Sequence, residues 1–299
     1  MKVLATRRYP GPAFDELVAV EVLRSGALVG PRPDVEGLIV ANEPVPFELL
    51  PRLRIVANFG VGYDRIDLGT CAERGIAVTN TPGVLDNATA DLTFALILAA
   101  RRRVVEGDRI VRAGRWTRSW PEGLLAEELT GSILGIVGLG RIGTAVARRA
   151  RAFDLHVLYT QRRRLDTDLG EFRELDALLA EADIVTLHMP LTPETDGLVD
   201  ARRLALLRNG ACLVNTARGE IVDERALVAE LVSGRIRAGL DVFAREPEVP
   251  PQLLELPNVV LTPHLGSATR QTREAMTRLV VENLKAFERG APPLTPVRL

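Results

Sequence analysis

The chain has 299 residues, a formal net charge of −1, and an ordinary composition with 46% hydrophobic and 26% charged residues. The length suits two domains, and the balanced charge argues against binding to nucleic acid or to an anionic membrane surface. Two cysteines and three histidines fit neither a metal site nor a disulfide framework. Because the N-terminus lacks the apolar stretch of a signal peptide and no apolar run is long enough to span a bilayer, we expect a cytoplasmic protein.

The first third of the chain alternates short apolar runs with helical patterns, which is typical of parallel βαβ units. We predict strands over residues 3–6, 37–41, 55–59 and 76–79. From residue 87 to residue 105 the pattern is helical and apolar on nearly every side. Such a helix is normally buried, and we expect it to lie between domains or between subunits.

A second series of strands and helices follows a polar segment that contains Trp116 and Trp120. Six apolar runs in this series predict strands, over residues 132–137, 156–159, 184–188, 212–215, 238–242 and 259–262. Helical patterns begin near Arg141, Glu174, Asp200 and Asp223. Six strands with helices between them predict a doubly wound sheet that binds a nucleotide.

The last helical pattern covers residues 271–289 and would return the chain to the first domain. We therefore predict an α/β fold with two domains. The first comprises residues 1–91 and 268–299, and the second, over residues 92–267, binds the nucleotide.

A glycine pattern follows the first strand of the second series and opens a helix. Gly138, Gly140 and Gly143 form the pattern G-x-G-x-x-G, with Arg141 and Ile142 between the last two. The first glycine permits a tight turn, the second lets the backbone approach a pyrophosphate, and the third lets helix and strand pack closely. The helix N-terminus then offers free N–H groups to the phosphates. These five residues are our first candidates for cofactor binding.

The end of the next strand distinguishes between the two nicotinamide dinucleotides. An NAD enzyme usually has an acidic residue there that binds the ribose 2′-hydroxyl, but this chain has Thr160, followed by Arg162 and Arg163. A carboxylate would repel a 2′-phosphate, whereas threonine and arginine donate hydrogen bonds to it. We predict a preference for NADP(H). The alternative is that the arginines form a solvated corner and that NAD(H) is used as well.

Three residues after later strands have side chains that can bind an anion, donate a proton and orient a proton donor. Arg218 lies just past a strand, where its guanidinium can bind a carboxylate or polarise a keto oxygen. His264 follows another strand and is suited to donate a proton near neutral pH. Glu246 can hold that imidazole in one tautomer and favour its charged form. Taken singly, each residue has another interpretation, as a surface charge, a turn residue or a helix cap.

Several motifs together resemble the D-isomer-specific 2-hydroxyacid dehydrogenases. They are VGLGRIG at 137–143, VNTARG at 214–219, LDVFAREP at 240–247, LTPHLGSAT at 261–269, NFGVGYD at 58–64 and NATAD at 87–91. The resemblance covers nearly the whole chain. Within the family, the sequence is most similar to glyoxylate/hydroxypyruvate reductases.

The resemblance implies a flavodoxin-like substrate domain, a Rossmann domain for the cofactor, and a catalytic set of Arg218, Glu246 and His264. The family also binds the substrate carboxylate through backbone N–H groups at the positions of Val61 and Gly62. The remaining residues that we assign to the cofactor are Thr89, Met189, Pro190, Thr216 and Asp241, the last near the nicotinamide carboxamide. By the same analogy, the apolar helix and the tryptophan segment suggest a homodimer.

The predicted reaction is hydride transfer from NADPH to the keto carbon of a small 2-oxo acid, in a cleft between the domains. Glyoxylate and hydroxypyruvate are the predicted substrates, and the product would be the D-hydroxy acid. One alternative keeps the fold with another substrate, such as phosphite, formate, 3-phosphoglycerate or another D-2-hydroxy acid. A second alternative is a dinucleotide-sensing protein similar to the family's transcriptional corepressors.

Overall fold

The structure is a computed structural model that describes residues 1–23, 28–117 and 123–298. Trp120 lies outside the described residues. The chain divides into two compact units, one formed by Met1–Leu85 with Ser267–Leu299 and the other by Asp86–Gly266. The sequence-based boundaries, after residues 91 and 267, stay a prediction of where the functional domains divide.

The first unit contains a parallel five-stranded sheet. Its strands are β1 (Val3–Ala5), β2 (Val20–Val22), β3 (Gly37–Val40), β4 (Ile55–Asn58) and β5 (Ala77–Thr79). Their spatial order is β2-β1-β3-β4-β5, which is the flavodoxin-like order. The helices of this unit are α1 (Leu68–Glu73) and the last helix of the chain, Arg270–Glu288.

The second unit contains a parallel seven-stranded sheet. Its strands are β6 (Ile133–Val137), β7 (His156–Thr160), β8 (Glu171–Phe172), β9 (Ile184–Leu187), β10 (Cys212–Asn215), β11 (Arg237–Leu240) and β12 (Val259–Leu261). The order β12-β11-β10-β9-β6-β7-β8 is that of a Rossmann sheet extended by one strand. The predicted fold class is therefore confirmed.

The helices of the second unit flank this sheet. They are α2 (Asp86–Arg101), α3 (Val104–Arg112), α4 (Arg141–Ala152), α5 (Leu175–Glu181), α6 (Ala201–Leu204), α7 (Glu224–Val232) and α8 (Pro251–Leu254). No helix among the described residues combines the length and the apolar character needed to cross a bilayer.

The single helix predicted over residues 87–105 is wrong at its C-terminal end. Helix α2 stops at Arg101, and α3 begins three residues later. Arg103 between them has a left-handed backbone with φ 54°, which a continuous helix excludes. Its guanidinium is held by the Glu106 carboxylate, with Nε 2.7 Å from Oε2. Helix α2 itself packs in the core of the second unit, where Gly239 lets it approach β11.

The register of the second sheet brings the carboxyl ends of its strands to one edge. Val137 at the end of β6 pairs with Leu187 of β9, and Leu187 pairs in turn with Asn215 of β10. Asn215 then pairs with Leu240 of β11. Because the strands end level with one another, the loops that follow them lie side by side. Every cofactor and catalytic residue predicted in this unit, apart from Thr89, lies on or next to these loops.

Candidate active site

The glycine-rich turn after β6 has a different steric requirement at each glycine. Gly138 has φ 98°, and a Cβ there would lie 2.7 Å from the carbonyl oxygen of His188. A Cβ on Gly143 would lie 2.1 Å from the carbonyl oxygen of Gly138. At Gly140 an added Cβ would meet nothing within 4 Å. Two of the glycines are therefore required by internal packing, while the third leaves open space above the turn.

Helix α4 begins at this turn and faces that space. Its N-cap is Gly140, which supplies no side-chain hydrogen bond to the first turn. The N–H groups at the start of a helix need partners from outside it, and here they belong to Arg141, Ile142 and Gly143. An uncapped helix N-terminus beside open space attracts an anion such as a pyrophosphate. The residues present thus fit a bound dinucleotide.

The end of β7 lies next to the same turn. Thr160 is buried, and its carbonyl oxygen accepts the Gly138 N–H at 2.9 Å. Arg162 and Arg163 are exposed, and within the described ranges neither guanidinium makes a hydrogen bond or an ion pair. A hydrogen bond from Thr192, with a contribution from the Arg162 charge, holds the pKa of Glu194 below its usual range. The strand therefore ends in a cationic corner that carries no acidic residue of its own.

The side chains of His264 and Glu246 are in hydrogen-bond contact. The Nδ1 atom of His264 lies 2.8 Å from Oε2 of Glu246, which directs the Nδ1 proton toward the carboxylate. The other carboxylate oxygen of Glu246 accepts the N–H of Phe243 at 3.3 Å. Burial would raise the pKa of Glu246, but the His264 hydrogen bond and charge, the Phe243 N–H and the Arg218 charge outweigh it and lower that pKa. Glu246 is therefore ionised at neutral pH.

The turn that carries His264 is held by a buried carboxylate. His264 has a left-handed backbone with φ 53°, and its N–H donates to the Asp241 carbonyl at 2.9 Å. The Asp241 carboxylate accepts hydrogen bonds from Thr262 Oγ1 at 2.6 Å, Leu265 N at 2.7 Å and Gly266 N at 2.8 Å. Burial raises the pKa of Asp241, and these three bonds oppose that effect. Asp241 thus fixes the loop on both sides of the imidazole.

Arg218 lies on the turn after β10, and buried Asn215 sets the shape of that turn. The Asn215 amide donates to the Arg218 carbonyl at 2.7 Å and accepts the Ala217 N–H at 3.0 Å. A Cβ on Gly219 would lie 2.0 Å from the backbone carbon of Phe243. The turn that carries Arg218 therefore packs against the loop that leads to Glu246. Arg218, Glu246 and His264 meet at the carboxyl edge of the sheet.

Thr89, Thr93 and Thr216 are linked to one another by hydrogen bonds. Thr93 Oγ1 donates to the Thr89 carbonyl at 2.8 Å and lies 3.2 Å from Thr216 Oγ1. A Cβ on Gly266 would lie 3.5 Å from Thr89 Oγ1 and 3.4 Å from Asp241 Oδ2. Three residues that the sequence assigns to the cofactor, Thr89, Thr216 and Asp241, are thereby brought close together.

The other predicted residues lie on separate loops. Met189 and Pro190 follow β9, where Thr195 Oγ1 donates to the Pro190 carbonyl at 2.7 Å and closes a turn. Val61 and Gly62 belong to the first unit and follow β4, the strand next to the edge strand β5. Both are half-buried.

Comparison with known proteins shows the family of the chain. The family model for the NAD binding domain of D-isomer specific 2-hydroxyacid dehydrogenases matches residues 94–266. The glyoxylate reductase of Pyrococcus furiosus is 53% identical over 260 residues, which cover 84% of this chain and 77% of that protein. The chain belongs to the D-isomer specific 2-hydroxyacid dehydrogenases. It is therefore an NAD(P)-dependent oxidoreductase that acts on CH–OH groups, as its sequence motifs predicted.

Solved structures agree with this assignment. The dehydrogenase is similar to a protein from Thermus thermophilus with a TM-score of 0.92 at 46% identity, over 100% of both chains. It is also similar to the NADPH-dependent glyoxylate/hydroxypyruvate reductase of Sinorhizobium meliloti, solved in complex with NADP and malonate. That likeness has a TM-score of 0.90 at 38% identity and covers 99% of this chain and 96% of the other.

The structure of the dehydrogenase also shows residues that sequence reasoning missed. His188 follows β9, with Nε2 2.9 Å from Thr186 Oγ1, and burial lowers its pKa to about 3. It is therefore neutral at physiological pH, and its carbonyl packs against the Gly138 turn. The sequence signal that could have indicated His188 was its position directly after a buried strand. Thr93 gave no comparable signal, because it lies on the buried side of an apolar helix.

Proposed function

We propose that this dehydrogenase is an NADPH-dependent reductase of small 2-oxo acids, converting glyoxylate to glycolate and hydroxypyruvate to D-glycerate. The observation that carries the proposal is the Arg218, Glu246 and His264 group at the carboxyl edge of the nucleotide-binding sheet. This group supplies a cation for a carboxylate and a proton donor for a carbonyl oxygen. The names of the relatives, which are glyoxylate reductases, support the same substrate class.

In this proposal each residue of the site has a defined role. A nicotinamide dinucleotide, when bound, would supply the hydride for the keto carbon. His264 donates the Nε2 proton to the keto oxygen, and Glu246 holds the imidazole through Nδ1 and stabilises its charged form. Arg218 binds the substrate carboxylate and stabilises the negative charge that develops on the oxygen. The N–H groups of Val61 and Gly62 also bind that carboxylate.

We assign cofactor binding to residues around the glycine-rich turn and the neighbouring loops. They are Gly138, Gly140, Arg141, Ile142, Gly143, Thr160, Arg162, Arg163, Thr89, Met189, Pro190, Thr216 and Asp241. The preference for NADPH rests on the corner of Thr160, Arg162 and Arg163, where neither guanidinium makes a hydrogen bond or an ion pair within the described ranges. A 2′-phosphate would accept charge-assisted hydrogen bonds from both guanidiniums.

The test is steady-state kinetics with glyoxylate, hydroxypyruvate, pyruvate and phosphite, each with both cofactors. We expect glyoxylate or hydroxypyruvate with NADPH to give the highest kcat/KM. Replacing Arg162 and Arg163 together with alanine should raise KM for NADPH about tenfold or more, through the loss of charged hydrogen bonds, and leave KM for NADH nearly unchanged.

Arg148→Ala is the matched control, because Arg148 is an exposed arginine of α4 beyond its first turn. It should alter neither KM. A higher kcat/KM with NADH than with NADPH would refute the cofactor assignment. Absence of turnover with every 2-oxo acid would refute the reductase and favour a dinucleotide-sensing protein.

We also propose a homodimer. Helix α3 and the segment after it leave large apolar side chains in solvent, with Val104, Val111 and Trp116 each more than half exposed. Large apolar side chains that one segment leaves in solvent are typical of protein interfaces when they form one patch. Light scattering should give twice the chain mass of 32.6 kDa, and a mass of one chain would contradict the proposal.

A further inference from the structure

The loop after β4 has its carbonyl oxygens bound by side-chain amides of its own unit. The Asn58 Nδ2 group donates to the Gly60 carbonyl at 3.2 Å and to the Gly62 carbonyl at 2.8 Å. The Asn80 Nδ2 group donates to the Val61 carbonyl at 2.9 Å. Three consecutive carbonyls are therefore turned toward internal donors.

The bound carbonyls determine the direction of the N–H groups next to them. In a planar trans peptide the carbonyl of one residue and the N–H of the next point in opposite directions. Binding the carbonyls of residues 60, 61 and 62 therefore turns the N–H groups of Val61, Gly62 and Tyr63 the other way. Within the described part of the chain, none of these three N–H groups donates to an acceptor. Successive N–H groups left unpaired in this manner form a site for an anion.

The two asparagines are themselves held in place. Asn58 is fully buried, and its Oδ1 accepts the Asn42 N–H at 2.7 Å, so both sides of its amide are bound. Asn80 follows β5, where its carbonyl accepts a hydrogen bond from Thr295 Oγ1 at 2.6 Å. A second donor to the Gly60 carbonyl is the Thr81 N–H at 3.0 Å. The Asn58 amide is thus fixed on both sides, and the Asn80 backbone is anchored next to the loop.

We propose that Asn58 and Asn80 are positioning residues that orient three successive N–H groups, including that of Tyr63, as the carboxylate-binding element of the dehydrogenase. This inference rests on the proposed function, since it names the substrate carboxylate as the anion. Asn80 orients the Gly62 N–H through the carbonyl of Val61. Asn58 orients the N–H groups of Val61 and Tyr63 through the carbonyls of Gly60 and Gly62.

Asn80 is the residue to change, because it is half-buried and its side chain makes one hydrogen bond to the loop, whereas Asn58 is fully buried. In Asn80→Ala that bond is lost. In the isosteric Asn80→Asp a carboxylate oxygen faces the Val61 carbonyl and repels it. We expect KM for glyoxylate to rise about tenfold in Asn80→Ala and further in Asn80→Asp, with a smaller change in kcat. KM for NADPH should stay within about twofold of the wild-type value.

A binding measurement tests the same point without turnover. Oxalate, titrated calorimetrically into the protein saturated with NADPH, should bind about tenfold more weakly to both Asn80 variants than to the wild type. The control is Asn258→Ala, since that amide also donates to two carbonyls, of Leu231 and Ile236, in the second unit. Asn258→Ala should lower Tm and leave both KM values and oxalate binding unchanged.

The outcomes separate this inference from the proposed function. If both Asn80 variants keep wild-type KM for glyoxylate and wild-type affinity for oxalate, the positioning role is wrong, whatever the substrate. If the wild type reduces no 2-oxo acid but binds oxalate, and the Asn80 variants bind it more weakly, the proposed function fails and the anion-binding loop stands. Failure of the wild type to bind oxalate would overturn the inference.

Discussion

Replacing His264 with alanine is expected to lower kcat for glyoxylate reduction by about 10² or more, because the keto oxygen then lacks its proton donor. KM for NADPH should change little, since the imidazole is paired with Glu246 and is not part of the glycine-rich turn. The measurement is steady-state kinetics at saturating NADPH. An unchanged kcat would remove His264 from the mechanism.

Because the backbone of His264 is left-handed, a second variant is needed as a control. With φ 53°, this position favours residues that tolerate the left-handed region, and alanine there is strained. Asparagine tolerates that region but cannot act as a general acid near neutral pH. His264→Asn should therefore lose as much kcat as His264→Ala while keeping a higher Tm. Recovery of kcat in His264→Asn would show that backbone strain, rather than the missing proton donor, caused the loss in His264→Ala.

The partner of His264 is expected to control the pH dependence of the reduction. The lowered pKa of Glu246 keeps its carboxylate charged below the usual range of a glutamate, so the carboxylate can accept the His264 hydrogen bond in mildly acidic solution as well. The neutral amide in Glu246→Gln cannot stabilise a charged imidazole. Because reduction needs the proton on His264, the alkaline limb of the kcat/KM profile should move to lower pH. Superimposable profiles would contradict the role of Glu246.

The second large effect is expected at Arg218. Arg218→Ala should lower kcat/KM for glyoxylate by about 10² or more, because it removes both a carboxylate partner and a charge that stabilises the developing oxyanion. The turn should keep its shape, since Asn215 binds the Arg218 backbone carbonyl rather than its side chain. A near-native KM for glyoxylate together with a near-native kcat would refute the assignment.

Two further variants make this test specific. Arg218→Lys keeps the charge but loses the planar pair of donors, so it should recover only part of the lost kcat/KM. Arg225→Ala removes an exposed arginine of the neighbouring helix α7 and should change neither kcat nor KM. If Arg225→Ala reproduced the loss, the effect of Arg218→Ala would reflect general electrostatics and not a specific contact.

The fold followed from the sequence wherever an element was long or strongly patterned. The strands that carry candidate site residues are continuous apolar runs, and the glycine pattern at 138, 140 and 143 marks the turn after the first of them. Two strands escaped prediction because their residues carry little pattern. β2 is a short, exposed edge strand, and β8 has only two residues. The helix break at Arg103 was not predicted, because apolar residues continue beyond it at Val104 and Val105.

The sequence by itself determined the reaction class, because that depends on residue types placed after successive strands of a parallel sheet. Arg218, Glu246 and His264 could be chosen in this way as the candidate catalytic residues. Only the tertiary structure decided how their loops are held. The bonds of Asp241 to the His264 turn, and of Asn58 and Asn80 to the loop after β4, depend on side-chain direction and strand register. Local sequence sets neither side-chain direction nor strand register, because both arise only when separate strands are packed side by side.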